Sequence, residues 1–316
     1  MADRDGSRNE KIKVLIDNIE KIIVGKRKVI ELVITAMLAE GHVLIEDVPG
    51  VGKTKLVSAL ASSCKGEFGR LQMTPDIMPT DITGFTLINP NTYQSEFRKG
   101  AVFCNFLLAD EINRSSPKSQ SALLEIMEER QVTMDGVRYE LPKPFMVLAT
   151  QNPVETYGTY HLPEAQMDRF IARISIGYPD KQQETDILLR DERKVSVSEL
   201  EQVVTCEDLM EMSAQIPDIY CSDAVREYII NITDATRSAD FIKLGASPRG
   251  SIALYRMAKA YAFVKGRSFV LPDDIKELAP CVLGHRIMLT PKGKSMVRDG
   301  EGAVRRLLEE IAVPIE

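Results

Sequence analysis

The sequence predicts an α/β fold, a parallel sheet covered by helices on both faces, followed by a smaller all-helical domain. The first observation is that short apolar runs alternate with helical stretches through the first half of the chain, as in parallel sheets with crossover helices. The second is that strand signals stop after Tyr178 and Pro179, and only helical stretches follow. We therefore expect two domains, 1–178 and 179–316.

Five apolar runs give the predicted strands of this sheet. They are His42–Glu46, Arg70–Met73, Phe106–Ala109, Phe145–Thr150 and Ala172–Ile176. Between them lie stretches such as Lys53–Ser63 and Lys118–Glu129, whose apolar residues recur at intervals of three and four, the spacing of one helix face. This alternation predicts helices that connect neighbouring parallel strands.

Two insertions interrupt the alternation of strands and helices. Residues 84–100 are polar and aromatic with an Asn-Pro-Asn turn signal at the middle, and we expect a projecting hairpin there. Residues 131–141 alternate around Asp135 and Gly136, and an Asp-Gly pair suits the positive φ angles of a tight type I′ turn. A second short hairpin should therefore precede the strand that begins at Phe145.

Helical periodicity continues through the second domain. Ser222 and Ser247 stand at N-cap positions, and Pro248 suits the first position of a helix. The predicted helices are Lys181–Arg193, Glu207–Gln215, Asp223–Ser238, Pro248–Lys265, Pro272–Leu283 and Glu301–Ile311.

The composition is that of an ordinary globular protein, with 44% hydrophobic and 27% charged residues. No stretch approaches 18 uninterrupted apolar residues, and the polar start of the chain lacks the features of a signal peptide. We therefore expect a cytoplasmic protein without a transmembrane segment. A net charge of −6 without a long Lys/Arg block argues against a protein that coats nucleic acid.

The cysteines and histidines favour packing over disulfides or metal binding. The five cysteines are odd in number, far apart and free of CxxC spacing, so we expect reduced and mostly buried thiols. The three histidines, His42, His161 and His285, are equally scattered, and two of them adjoin apolar runs.

A glycine-rich loop between the first predicted strand and the first crossover helix has the context of a phosphate-binding P-loop. Its glycines let successive N–H groups point at phosphate oxygens, and the following helix adds its positive N-terminal end. Lys53 would reach the β- and γ-phosphates of ATP, and the Thr54 hydroxyl would bind Mg²⁺. The loop residues that we expect to contact the nucleotide are Pro49, Gly50, Val51, Gly52, Lys53 and Thr54.

One position departs from the usual P-loop pattern, which begins with glycine where this chain has Asp47. Aspartate tolerates unusual φ angles better than most residues. Its charge beside a triphosphate is unfavourable unless the side chain turns away.

A second motif supports a nucleotide site, because the apolar run Phe106–Ala109 ends in Asp110 and Glu111 about 56 residues after the P-loop. The strand end would place Asp110 beside Mg²⁺, and Glu111 would polarise a water molecule aimed at the γ-phosphate. An isolated acidic strand end would indicate only solvated carboxylates. The spacing after a P-loop makes a Walker B segment the better interpretation.

Asn152 and Arg249 each have a functional and a structural interpretation. Asn152 lies in the polar tip that follows the run Phe145–Thr150 and could hold the attacking water, whereas Asn-Pro could also form a plain turn. Arg249 lies in the first turn of a helix, where a cation opposes the helix dipole unless an anion lies nearby. The alternative for Arg249 is a surface arginine that pairs with an acid.

The chain resembles the MoxR-type AAA+ ATPases, which are P-loop NTPases with a helical lid domain. The segments that carry the resemblance, in order, are EDVPGVGKT, QMTPDIMPTDITG, LLADEINRSSPKSQSALLEIMEE, VLATQNP, GTYHLPEAQMDRF and GASPRG. They extend from about residue 46 to about residue 250. In this family the insertion at 84–100 lies in the second helix, and the hairpin at 131–141 precedes the sensor-1 residue.

The resemblance also implies roles for single residues. Asn152 would be the sensor-1 residue, Arg249 the sensor-2 residue and Arg169 the arginine finger that acts on ATP held by a neighbouring subunit. Arg114, close behind the Walker B acids, is the main rival of Arg169. Val24 and Gly25 lie where relatives line the adenine pocket.

Three functions follow from these motifs. The leading hypothesis is an ATP-driven remodelling or maturation factor for protein clients, which the resemblance implies to be a homo-hexamer and to work with a partner that has a von Willebrand factor A domain. The second is a nucleic-acid motor, which is less favoured because the hairpin tip around Asp135 offers no cation to a phosphate backbone. The third is a nucleotide-dependent switch with little turnover.

Overall fold

A computed structural model describes residues 2–91, 93–153, 158–192 and 196–314 of the chain. The elements of its first part are α1 Ala2–Glu20, α2 Arg27–Leu38, β1 Val43–Glu46, α3 Lys53–Ser63, β2 Phe68–Gln72, α4 Pro79–Thr83, β3 Gly84–Ile88, β4 Ser95–Lys99, β5 Phe106–Asp110, α5 Pro117–Glu129, β6 Gln131–Met134, β7 Val137–Glu140, β8 Met146–Gln151, α6 Glu164–Met167 and β9 Ala172–Ile174. Those of its second part are α7 Lys181–Glu192, α8 Cys206–Ser213, α9 Asp223–Ser238, β10 Ile242–Leu244, α10 Pro248–Val264, α11 Pro272–Leu283, β11 Met288–Leu289, α12 Pro291–Met296 and α13 Gly300–Glu310.

Five strands form a parallel sheet in the order β2-β5-β8-β1-β9, which confirms the predicted fold class. The apolar runs become strands because the central ones are covered on both faces, as parallel sheets require. In β5 the run Phe106–Ala109 is fully buried, and only Asp110 at its end reaches the surface. The registers bring the ends of β1, β5 and β8 to one edge of the sheet, which we call the carboxyl edge.

Each of the two insertions contains an antiparallel hairpin. Strand β3 pairs with β4, and β6 pairs with β7. The turn of the second hairpin has positive φ at both Asp135 (52°) and Gly136 (79°), the backbone that an Asp-Gly pair favours.

The expectation of helices alone after Tyr178 is wrong. Strands β10 and β11 form a two-stranded antiparallel sheet within the second part of the chain. They contain three and two residues, too few for an alternating pattern to be recognised. The first helix of this part is described to Glu192, and its predicted last residue, Arg193, lies outside the described residues.

One hydrophobic cluster continues from the first part of the chain into the second. It includes Ile34 of α2 and Leu60 of α3 together with Leu254 of α10, Leu278 of α11 and Val304 of α13. Burying each leucine contributes about 1.5–3 kcal/mol, so the helices are docked firmly on the sheet domain. The domain boundary near residue 178 stays a prediction. Among the described residues, none of the helices is long and apolar enough to cross a membrane.

A buried ion pair also joins the two parts of the chain. The Arg286 Nε atom, in the turn after α11, lies 2.6 Å from the Asp168 carboxylate, and the two side chains are only 3% and 16% exposed. Arg286 also donates to the Phe170 carbonyl at 2.7 Å, and the Ser247 hydroxyl donates to Asp168 at 2.8 Å. Burial lowers the pKa of the Arg286 guanidinium, an effect that the carboxylate opposes.

We expect Asp168→Ala to lower the free energy of unfolding by about 3–5 kcal/mol, because it leaves a buried guanidinium without its counter-charge. Urea unfolding followed by circular dichroism measures the change. Asp240→Ala is the control, since its pair with Lys292 is 71% and 60% exposed and should contribute less than about 1 kcal/mol. Equal losses in the two variants would contradict the prediction.

Candidate functional site

The P-loop follows β1 at the carboxyl edge, and its backbone explains its glycines. Gly50 and Gly52 have φ of 88° and 94°, in the left-handed region that other residues seldom adopt. Gly52 caps α3, so the helix starts at Lys53 with its free N–H groups facing the loop. The Lys53 ammonium donates to the Asp47 carbonyl at 2.7 Å, which closes the loop on itself.

The Asp47 side chain turns away from the loop. Its carboxylate accepts hydrogen bonds from the backbone N–H groups of Ile176 and Gly177 and from the Ser175 hydroxyl. The side chain is buried, and these three donors satisfy its charge. The departure from the usual P-loop pattern therefore does not place a carboxylate in the phosphate site, and it fastens the loop to the segment that follows β9.

Lys53 lies close enough to Asp110 and Glu111 for their charges to affect its pKa. Burial lowers the pKa of its ammonium, and the charges of Asp47, Asp110 and Glu111 oppose this effect. The structure thus brings together the cation and the two carboxylates that the sequence predicts for one site.

Thr150, at the end of β8, holds both Walker B residues in place. Its hydroxyl donates to the Asp110 carboxylate at 2.6 Å and accepts from the Glu111 backbone N–H at 2.9 Å. The other carboxylate oxygen of Asp110 accepts from Arg70 at 2.9 Å. Thr150 is not among the site residues predicted from the sequence, although its position at the end of a predicted strand is a usable signal.

The Glu111 carboxylate is held by two neighbours. Gln72 of β2 donates to it at 2.8 Å and Arg114 at 2.9 Å. Its backbone is left-handed, with φ 56° and ψ 51°, a conformation that costs about 1–3 kcal/mol and often marks functional sites. Arg114, the rival for the arginine-finger role, therefore contacts the predicted base of its own chain.

Polar contacts connect the end of β8 to the second part of the chain. Asn152 is buried directly after β8, beside Gln151. Gln151 donates to Glu46 at 2.7 Å, and Glu46 pairs at 3.0 Å with Arg173 of β9. Arg173 also pairs at 3.4 Å with Glu301, at the start of α13. The predicted sensor-1 region and the P-loop thus share a network with the last helix.

A cavity of about 550 Å³ opens beside the P-loop. Its size is typical of small-molecule sites. Its walls are mostly apolar and include Ile23, Val24, Gly50, Val51, Pro179 and Ile187. Gly25 lies next to this wall with a φ of 65°, and its carbonyl accepts from Gln183 of α7 at 3.2 Å. The cavity can take a nucleotide base whose phosphates lie on the loop.

Arg169 and Arg249 lie elsewhere, on a cleft of about 270 Å³. Gly41 and His42 also line it, and because they precede β1 the cleft is at the opposite, amino edge of the sheet. Both guanidiniums pair with Glu128, Arg169 at 3.0 Å and Arg249 at 2.7 Å. We call this site the arginine cleft; its lining also includes Arg130, Arg256 and Arg286.

The structure places Arg249, the predicted sensor-2 residue, away from the P-loop of its own chain. A strand of four residues such as β1 is about 13 Å long, and it separates the arginine cleft from the P-loop. Within one chain, Arg249 matches the alternative of an arginine that pairs with an acid. The sequence motif does not reveal this position, because the packing of α10 against α2, two helices far apart in the chain, sets where Arg249 lies.

The predicted ligands of Mg²⁺ provide the kind of oxygen atoms that this cation requires. Thr54 lies in the first turn of α3 behind the P-loop, and Asp110 presents a carboxylate with 18% exposure at the end of β5. A hydroxyl and a carboxylate are hard oxygen ligands, which Mg²⁺ prefers.

Comparisons with known proteins identify the family of this chain. The family model described as ATPase family associated with various cellular activities (AAA) matches residues 42–172, and the AAA lid domain model matches residues 234–307. Chaperone MoxR1 of Mycobacterium tuberculosis is 39% identical, over 95% of this chain and 81% of its own. Protein MoxR of Methylorubrum extorquens is 30% identical over 86% of each chain.

The fold has a close counterpart among solved structures. The crystal structure of a proposed ATPase from Cytophaga hutchinsonii superposes with a TM-score of 0.91 at 39% identity, covering 99% of this chain and 98% of that one. Sequence motifs, fold and relatives therefore point to one conclusion. The chain belongs to the MoxR family of AAA+ ATPases.

Proposed function

We propose that this protein hydrolyses ATP in a homo-hexameric ring, with each ATP bound between the P-loop of one chain and the arginine cleft of its neighbour. The observation that carries the proposal is the separation of the site residues. At the carboxyl edge lie the P-loop, Asp110, Glu111 and Asn152. Arg169 and Arg249 lie at the amino edge. Two copies, head to tail, would complete one site, and head-to-tail contacts can close into rings.

The residues at the carboxyl edge would bind and orient ATP. The loop amides and Lys53 hold the phosphates, and Thr54 with Asp110 would hold Mg²⁺, which neutralises phosphate charge when bound. Glu111 would accept a proton from the attacking water, and Asn152 would fix that water in line. Gln72 and Arg114 both donate to one oxygen of this carboxylate, Oε2, and would orient it for this role.

Hydrolysis would be used to remodel protein clients. The network from Gln151 through Glu46 and Arg173 to Glu301 supports such coupling, because it joins the nucleotide edge to α13. The name of the mycobacterial relative, a chaperone, favours the same role. We propose cytoplasmic protein complexes as clients and a von Willebrand factor A domain protein as partner.

We expect the ATPase rate per chain to rise with protein concentration until rings are complete, because an isolated chain lacks the arginines of a neighbour. EDTA should abolish the activity by removing Mg²⁺. Coupled-enzyme assays over a dilution series, with sedimentation velocity on the same samples, test this. A constant rate per chain across the change from monomer to ring would refute a shared site.

The alternative function, a nucleic-acid motor, has a different test. Salt-dependent stimulation of the ATPase rate by single-stranded DNA would favour it.

A further inference from the structure

Glu128, in the last turn of α5, pairs with both Arg169 and Arg249, the two arginines proposed to act on ATP of the neighbouring chain. Its two oxygen atoms are used separately, Oε2 for Arg169 at 3.0 Å and Oε1 for Arg249 at 2.7 Å. The three residues come from three distant segments, α5, the end of the α6 turn and the first turn of α10. One carboxylate therefore joins guanidiniums from both parts of the chain.

The other arginines of the cleft have different partners. Arg286 pairs with Asp168, Arg130 with Glu40 at 2.9 Å, and Arg256 donates to the Ala39 carbonyl at 2.7 Å. Arg169 also donates to the Leu124 carbonyl at 2.6 Å, which fixes the direction of its side chain. Glu128 is thus the acid that neutralises the two arginines assigned to ATP.

A carboxylate here resembles the ligand that the arginines would take in a ring. Guanidinium groups bind carboxylate and phosphate oxygens with the same planar donor geometry. The Glu128, Arg169 and Arg249 side chains are 41%, 29% and 55% exposed, so each ion pair is weak and can be exchanged. An acid near the C-terminus of a helix is also disfavoured by the helix dipole, so α5 itself does not favour Glu128.

We propose that Glu128 is an internal counter-ion that occupies Arg169 and Arg249 in the unassembled chain and is displaced by the terminal phosphate of ATP on the neighbouring chain. This inference rests on the proposed function, since it assumes that both arginines act in trans. Glu128 gathers the two guanidiniums at one point and keeps them from binding other anions. When chains assemble with ATP, the two guanidiniums exchange the Glu128 carboxylate for a more highly charged phosphate.

The first test measures anion binding to the unassembled chain. In a Lys53→Ala background, which disables the P-loop, Glu128→Gln should bind inorganic triphosphate about threefold to fivefold more tightly, the factor that a partly exposed ion pair is worth. Isothermal titration calorimetry gives the dissociation constants. Adding Arg169→Ala should remove the gain. Glu129→Gln is the matched control, because it removes the same charge from the next, also exposed, residue of α5.

The second test measures assembly with the P-loop intact. Glu128→Gln should reach half-maximal ATPase rate at a several-fold lower protein concentration than wild type or Glu129→Gln. If Glu128→Gln and Glu129→Gln behave alike in both tests, Glu128 is not a counter-ion for this pair. If Glu128→Gln instead lowers the rate of complete rings, Glu128 orients the arginines during hydrolysis and the inference is wrong. The triphosphate titration needs no ring, so its outcome is independent of whether ATP is shared between chains.

Discussion

Arg169→Ala should fold and bind ATP as the wild-type chain does but hydrolyse it about 10³–10⁵ times more slowly, the range for loss of an arginine finger. The reason is that Arg169 would offset the negative charge that develops on the transferred phosphoryl group. Its position at the amino edge, away from the P-loop of its own chain, leaves nucleotide binding within that chain intact. Steady-state ATPase rates at saturating protein concentration measure the loss.

Mixing two inactive variants separates action in trans from a structural role. Lys53→Ala removes the ammonium that neutralises the phosphates, so these chains should not bind ATP. In mixed rings, some interfaces place the intact P-loop of an Arg169→Ala chain against the intact Arg169 of a Lys53→Ala chain. Activity should partly return at those interfaces.

Action of Arg169 in trans is contradicted if the mixture stays as inactive as its components while mixed rings demonstrably form. Differently tagged chains purified in tandem show whether mixed rings exist. Arg138→Ala is a suitable control, because Arg138 is an exposed arginine of the β6–β7 hairpin and should not affect the rate.

Glu111→Gln should keep ATP affinity within a few-fold of wild type and reduce turnover by about 10²–10⁴, the usual contribution of a general base. The amide can still hold water and still accept from Gln72 and Arg114, but it cannot take a proton. Calorimetric titration with ATP gives the affinity, and phosphate release gives the turnover.

A matched control for this variant is Glu125→Gln, which changes an exposed acid of α5 away from the P-loop. It should hydrolyse ATP at the wild-type rate. Near-normal turnover in Glu111→Gln would show that another group is the base. Loss of ATP binding would show that Glu111 instead helps to bind the nucleotide.

The local part of the site follows directly from the sequence. A P-loop is encoded by a few neighbouring residues, because Gly50 and Gly52 permit the positive φ angles and Lys53 starts the helix. The acids Asp110 and Glu111 end a buried apolar run for a similarly local reason. The parallel sheet could be predicted because its central strands β1, β5 and β8 are contiguous apolar runs, and parallel pairing brings the strand ends to one edge.

Other features depend on contacts between distant segments. The direction of the Asp47 side chain depends on the N–H groups of Ile176 and Gly177, and the Thr150 contact with Asp110 depends on the register of β5 with β8. Strands β10 and β11 are too short to carry a pattern and form only because they pair with each other.

The sequence by itself determined the P-loop backbone and the parallel sheet, because those properties depend on backbone preferences and apolar spacing over a few residues. Only the tertiary structure decided where the arginines lie. Their position is set by the packing of α10 against α2 and by the buried Asp168–Arg286 pair, which join segments far apart in the chain. Such packing combines many weak contacts between apolar faces, and no short motif records which faces will meet.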